Sequence, residues 1–140
     1  MNLHRGLEVW RRAHALAIRV YRLTAGEILD RAPDLVDQIR RATESIPDNI
    51  AEGRAGRTDG IYLRHIAIAL ASAGEADSQI VRFRDRGEWT PELAFDLLDE
   101  LAIIRRQLLA LELAVKGRRS SRSSRSSRTP GSRSSRGSRS

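Results

Sequence analysis

Three histidines, eighteen carboxylates and no cysteine bound the chemistry open to this chain of 140 residues. Without cysteine there are no disulfides and no thiolate metal ligands. That composition is compatible with a reducing cytoplasm, the expected location. A di-metal centre in a helical bundle needs glutamates together with Glu-x-x-His pairs, whose three-residue step puts carboxylate and imidazole on one helix face. Here Tyr62 stands three before His65, Arg11 three before His14, and Met1 three before His4. No metal or other cofactor is expected. No nucleophile elbow, phosphate-cradling glycine loop or zinc-protease histidine pair occurs either, so an enzyme is not expected. His14 falls on an apolar stripe, as a ligand or proton shuttle, or as a core histidine whose ring nitrogens meet a backbone or side-chain partner. Asp77 lies beside another apolar seam, as the mark of a site or as a bridge to an arginine.

Phosphate is the other ligand these residue types suit. Arg12, Arg19 and Arg22, with Arg5, line one side of the first helical pattern. They could track a phosphate backbone or form a solvated face. Gly53-Arg54-Ala55-Gly56-Arg57 is glycine-rich and basic but follows a helix rather than a strand. It reads as a phosphate-binding nest or as a plain interhelix turn. Base stacking is poorly supported: Trp10, Tyr21, Tyr62 and Phe83 fall on apparent core faces, Trp89 in a loop and Phe95 near a helix start.

Four helical patterns position these groups. The first runs from about Leu7 to Ala25, with Leu7, Trp10, His14, Ala17 and Tyr21 at alternating three- and four-residue steps. That stripe fades at the polar Thr24. Val9, Ala13, Leu16, Val20 and Leu23 add a second stripe beside it, so the apolar face is wide. Gly26 and Pro33 bracket a connection. The second helix spans about Asp34 to Glu52, lined by Leu35, Ile39, Ala42, Ile46 and Ile50, with a kink or break expected at Pro47. Thr58 is a plausible N-cap for a third helix over about Asp59 to Arg86. Its seam of Tyr62, Ile66, Ala69, Ala73, Ala76, Ile80 and Phe83 is small in the middle, where Ser72 and Gly74 also lie. Gly87 suits a C′ position, and Thr90-Pro91 reads as N-cap and N1 of the fourth helix. Ala94, Leu97, Leu101, Ile104, Leu108, Leu111 and Val115 form that helix's seam. Leu98, Leu109 and Leu113 lie outside it, as a wider core face or an oligomer surface. Short connections favour antiparallel neighbours, so the fold class is all-α, an antiparallel up-down four-helix bundle over residues 1–116. The longest small-and-apolar run, Ile66–Gly74, is far short of a membrane span.

At Gly117 the composition changes. Only Arg, Ser, Gly, Thr and Pro follow it, with arginine every third residue at Arg119, Arg122, Arg125 and Arg128. Nothing there offsets the entropy of ordering, so 117–140 reads as a disordered basic tail. The charge divides at the same place. Residues 116–140 hold Lys116, eight arginines and no acid, leaving residues 1–115 with 16 basic groups against 18 acidic ones. The net +7 is therefore a property of the tail.

One segment is specific. Gln38-Ile39-Arg40-Arg41-Ala42-Thr43-Glu44-Ser45-Ile46-Pro47-Asp48-Asn49-Ile50-Ala51-Glu52-Gly53 closely resembles the Q-L/I-R-R-A-x-x-S-I-P-x-N-I-A-E-G signature of the 23S rRNA intervening-sequence proteins of bacteria. Leu7-Glu8-Val9-Trp10, Ala13-His14, Val20-Tyr21, Leu23-Thr24 and the Ile66–Glu75 stretch add to the likeness, which covers about residues 3–116. The resemblance implies an up-down bundle that assembles as a homopentameric barrel. A related bundle, the accessory protein of diversity-generating retroelements, binds a reverse transcriptase and nucleic acid through a basic surface. Within the motif, Arg41, Ser45, Asp48 and Glu52 share a helical face, with Asn49 adjoining. They form an RNA-facing patch or, as favoured by acids that repel phosphate, a structural network with Pro47 and Gly53 that satisfies the carbonyl freed by the proline. Arg40 and Arg57 are the better phosphate candidates nearby. Pro33-Asp34-Leu35-Val36-Asp37 and the arginine-serine tail depart from the family pattern. The expected partners are further copies of the chain and RNA, DNA or a reverse transcriptase, with no membrane role. The expected function is a non-enzymatic homo-oligomeric scaffold; the alternative is a protein-interaction module without a nucleic-acid role.

Overall fold

A computed structural model describes residues 3–126 and is helical almost throughout. The helices are α1 (Leu3–Leu23), α2 (Glu27–Arg31), α3 (Pro33–Ala55), α4 (Asp59–Asp85) and α5 (Pro91–Ser126). Four are long and α2 is little more than a turn. Each long helix packs mainly on two others, α1 on α3 and α5, and α4 on α3 and α5. Cross-links between residues of rising and falling number show that these contacts are antiparallel: Arg12 with Glu100 and Arg19 with Asp96, then Asn49 with His65 and Ser45 with Ser72. The result is the expected up-down four-helix bundle. Among the described residues no helix is long and apolar enough to cross a membrane.

The inner faces follow the three-four rhythm on every helix. Ile39, Ile46 and Ile50 of α3, Ile66, Ile80 and Phe83 of α4, and Leu97, Leu101, Ile104 and Leu108 of α5 are fully buried. On α1 the core stripe is Val9, Ala13, Leu16 and Val20. The other stripe of α1 is divided: Ala17 is buried and Trp10 packs partly on the core, whereas Tyr21 is 52% exposed, and His14 is exposed and stacked on Trp10, ring centroids 5.0 Å apart and nearly parallel. His14 is thus neither a core histidine nor held in a ligand cluster. Thr24 does not end the apolar face. It is fully buried, because its Oγ1 donates to Val20 O at 2.7 Å and so needs no water.

The turns are built as their residues require. Gly26 (φ +84°) and Gly87 (φ +75°) hold left-handed backbone that a Cβ would strain. At Gly87 the α4 terminus closes as a Schellman motif, with Glu88 N donating to Phe83 O at 2.9 Å and Gly87 N to Arg84 O at 3.0 Å. Thr58 and Thr90 cap α4 and α5 by accepting from Ile61 N and Leu93 N. Helix α3 runs unbroken through Pro47, which is buried within it. The small residues of α4 are buried at Ala69, Ser72, Ala73 and Ala76. Gly74, however, faces open space: a Cβ there would have no neighbour within 4 Å, so it marks no close approach.

Arg31 of α2 forms a bidentate pair with Glu88 in the α4–α5 turn. The hydrogen bond from Arg31, more than its charge, holds the Glu88 carboxyl below the ordinary glutamate range. A depressed carboxylate stabilises the fold fully above its unfolded pKa, about 4.3, and that contribution fades as pH falls through the folded value. Glu88→Gln is therefore expected to melt below the wild type at pH 6, with the two converging as pH approaches 3. A gap that persists at pH 3 would assign the stabilisation to something other than the ion pair.

The composition change at Gly117 does not coincide with a helix end. Helix α5 continues through it to Ser126, past Lys116 where the domain was expected to end. Arg118 and Arg122 in this stretch pair with Asp59 of α4. Residues 127–140, the rest of the expected disordered tail, lie outside the described residues.

Candidate functional site

The signature segment of α3 meets α4 in a hydrogen-bonded seam. Asn49 Nδ2 donates to Ser45 O at 2.8 Å and lies 3.0 Å from Ser45 Oγ. Ser45 Oγ lies 2.8 Å from Ser72 Oγ across the helix pair. Asn49 Oδ1 lies 2.9 Å from His65 Nδ1, and Glu52 Oε2 is 3.5 Å from the same nitrogen. With the Asn49 amide oriented by its two bonds to Ser45, its oxygen accepts, so His65 Nδ1 carries the proton. Gly53 completes the seam by closeness: a Cβ there would meet His65 Cβ at 3.0 Å and Tyr62 Cδ1 at 3.1 Å. Ser45, Ser72, Asn49 and the Nδ1 of His65 bond to one another across the seam. The chain of bonds fixes the register of α3 on α4.

The bonds of the motif differ from the expected structural network in two respects. The carbonyl that Asn49 reaches is Ser45's, not the Thr43 carbonyl whose donor Pro47 lacks. The motif residues also do not act as one face. Ser45 and Asn49 turn toward α4, whereas Arg41, Asp48 and Glu52 are exposed, and Arg41 Nε pairs with Asp37 Oδ2 one turn back at 3.1 Å. His65 and Ser72 were missed. Their partners lie 16 and 27 residues away, a separation that no local spacing encodes.

The arginines divide into two groups. Several on the bundle wall have protein partners, while Arg11, Arg64, Arg82 and Arg106 are exposed there with no ion pair among the described residues. Arg12 Nη1 reaches both oxygens of Glu100 at 3.2 Å, and Arg19 Nη2 reaches Asp96 Oδ2 at 2.7 Å. Arg40 donates to Thr24 Oγ1 at 2.9 Å and to Tyr21 O at 3.2 Å, its guanidinium 4.1 Å above the Tyr21 ring. That contact caps the C-terminus of α1 and explains why Tyr21 stands outside the core. Asp77 bridges to Arg105 at 3.7 Å, as one of its two readings held.

The second group lies where α3 ends, α4 begins and α5 overruns them. Asp59, the first residue of α4, is 9% exposed. Its Oδ1 accepts from Arg118 Nη2 at 2.6 Å and its Oδ2 from Arg122 Nη1 at 3.2 Å. Burial raises the pKa of the nearby Tyr62 hydroxyl, while the charges of Arg54 and Arg118 oppose that rise. Arg119 extends beside Gly60. Arg54, Arg57, Arg119 and Arg125 are exposed, with no ion pair among the described residues. Arg22 is likewise exposed but sits at the opposite end of α1. Arg128 lies outside the described residues. Of the phosphate candidates, the fold gathers Arg57, Arg119, Arg122 and Arg125 at one end and scatters Arg12, Arg19, Arg22 and Arg40 along the wall. Among the described residues no three His, Asp or Glu side chains are grouped closely enough to share a metal ion.

An antiparallel four-helix bundle, locked by a Ser-Asn-His seam and carrying a basic end, is the class of protein these features define. The model of the 23S rRNA-intervening sequence protein family matches residues 5–110, and the chain belongs to that family. Its fold is shared with a solved protein of unknown function from the S23 ribosomal protein family of Bacteroides thetaiotaomicron. That likeness has a TM-score of 0.72 at 19% identity, over 77% of this chain and 97% of that one. No curated protein matches the sequence.

Proposed function

We propose that the chain is a non-enzymatic, self-associating helical scaffold that engages nucleic acid through its basic end. The observation that carries the reading is the unequal fate of the arginines. Carboxylates and carbonyls occupy Arg12, Arg19 and Arg40 on the wall, whereas Arg54, Arg57, Arg119 and Arg125 come together at one end, exposed and with no ion pair among the described residues. The contexts to try are rRNA and a retroelement reverse transcriptase, the partners expected from the resemblance in the sequence. Self-association is supported by large apolar side chains left in solvent, chiefly Phe95 and Leu113 on α5.

Filter binding of single-stranded RNA to the full chain tests the nucleic-acid half. The comparison is a full chain with Arg119, Arg125 and Arg128 changed to Gln. Truncation at Lys116 is the poorer control, because it strips Asp59 of both its arginines. Three lost phosphate contacts should flatten the slope of log affinity against log salt by about 2. Absence of RNA binding by the wild type at about 50 mM salt, where such contacts are strongest, removes this half of the reading. The same exposed side chains on α5 favour a second reading, a protein-interaction module with no nucleic-acid role. One stable protein partner that survives nuclease treatment would favour it.

A further inference from the structure

Beyond Val115, α5 buries no apolar side chain, yet it stays helical to Ser126. Its own sequence works against that. Gly117 costs about 1 kcal/mol relative to Ala in a helix interior, and the serines add smaller penalties. A helical segment this short does not persist in water without tertiary support. Asp59 supplies the support. Arg118 and Arg122 stand one turn apart, so one carboxylate grips two successive turns. The N-terminus of α4 in turn favours the negative charge of Asp59. Arg118 is mostly covered there, whereas Arg122 is 66% exposed. Arg125 continues the same face one turn on, and Arg119 lies around the helix beside Gly60.

A carboxylate that offers two oxygens to guanidinium groups presents them with what a phosphate diester presents: negative charge and paired acceptors. We propose that Asp59 is an internal stand-in for phosphate, holding Arg118 and Arg122 out of nucleic-acid binding and folding the basic segment along the bundle end. A single strand then meets Arg119, Arg125 and Arg57 first, and gains two further contacts only by displacing Asp59. This rests on the nucleic-acid reading above and adds to it a division of labour among arginines of one helix.

The test uses the full chain and an oligouridylate probe, with filter binding between about 50 and 200 mM salt. Asp59→Asn removes the carboxylate that Arg118 and Arg122 share, which should steepen the slope of log affinity against log salt by up to about 1.4. Over that fourfold rise in salt the variant should lose up to about sevenfold more affinity than the wild type. Backbone chemical shifts of residues 118–126 should lose their helical values while those of the rest of α5 keep theirs. In the otherwise wild-type chain, Arg118→Gln with Arg122→Gln should leave the slope unchanged, because those groups are already occupied. That pair also decides the matter if Asp59→Asn fails to fold. Equal slopes for wild type and Asp59→Asn, or a slope flattened by about 1.4 in the double arginine variant, would overturn the masking role while leaving nucleic-acid binding in place. If no form binds at the lowest salt, the nucleic-acid reading falls and the masking role falls with it.

Discussion

Phe83→Ala is expected to lower unfolding stability by about 3–5 kcal/mol, the usual range for emptying a buried phenylalanine site. Phe83 is fully buried in the last turns of α4. Its ring lies 4.3 Å from that of Trp89, which is itself only 6% exposed although it sits in the turn between helices. The Phe83 carbonyl also accepts from both Glu88 N and Trp89 N. Loss of the ring therefore opens a cavity and removes the surface against which the α4–α5 turn is folded. Typical domain stabilities of about 5–15 kcal/mol make this a large fraction of the total. Urea unfolding followed by tryptophan fluorescence measures it. A loss below about 1 kcal/mol, the level of a surface substitution, would show that the site collapses without penalty and that the ring is not central to the core.

The second large effect concerns assembly. Phe95 is 71% exposed and Leu113 69% exposed, and with Leu98 and Leu109 they recur along one side of α5 at helical spacing. A second apolar stripe, Trp10, His14, Ile18 and Tyr21, runs along α1. Closed rings need two different surfaces that meet head to tail, and these two stripes meet that requirement. Burying one large apolar side chain contributes about 1.5–3 kcal/mol, so two contribute about 3–6. Phe95→Asp with Leu113→Asp should therefore weaken association by roughly a hundredfold to ten-thousandfold per interface. Neither position is in the core, so the helices should form as before. Light scattering across a dilution series reads the outcome. A wild type that is monomeric at every concentration would remove self-association from the proposed function. An oligomer whose dilution curve the substitutions leave unmoved would place the interface elsewhere.

Much of the fold was legible because the apolar periodicity of α3, α4 and α5 survives without interruption, and because Thr58, Gly87 and Thr90-Pro91 punctuate it with specific chemistry. Helix α1 was harder. It carries two adjacent stripes of similar polarity, and the one containing Trp10 and Tyr21 has the larger side chains. The inner stripe is the one that continues to Thr24, whose hydroxyl hides its polarity on the Val20 carbonyl. The site divides in the same way. Asn49 and Ser45 stood out within a signature, but their partners His65 and Ser72 depend on how α4 returns along α3. The arginines of α1 read as a free basic face because Asp96 and Glu100, which neutralise two of them, lie on α5, 77 and 88 residues away. The end of α5 was illegible for a related reason. Composition reports what a segment can bury, and this one pairs with a charge on another helix.

Val115 is the last buried side chain of α5, and that fixes how substitutions can accumulate in the chain. Before it, the buried residues answer to a volume. After it, a replacement alters charge or helicity but displaces no neighbour in the core, so length and composition are free to drift. One tie remains. Asp59 belongs to the packed part, and without Arg118 and Arg122 it would be a nearly buried anion lacking its counter-charges, which a fold tolerates poorly. A lineage that alters the basic segment at those two positions must alter position 59 as well. Their covariation, rather than the identity of any serine between them, is the trace this arrangement would leave.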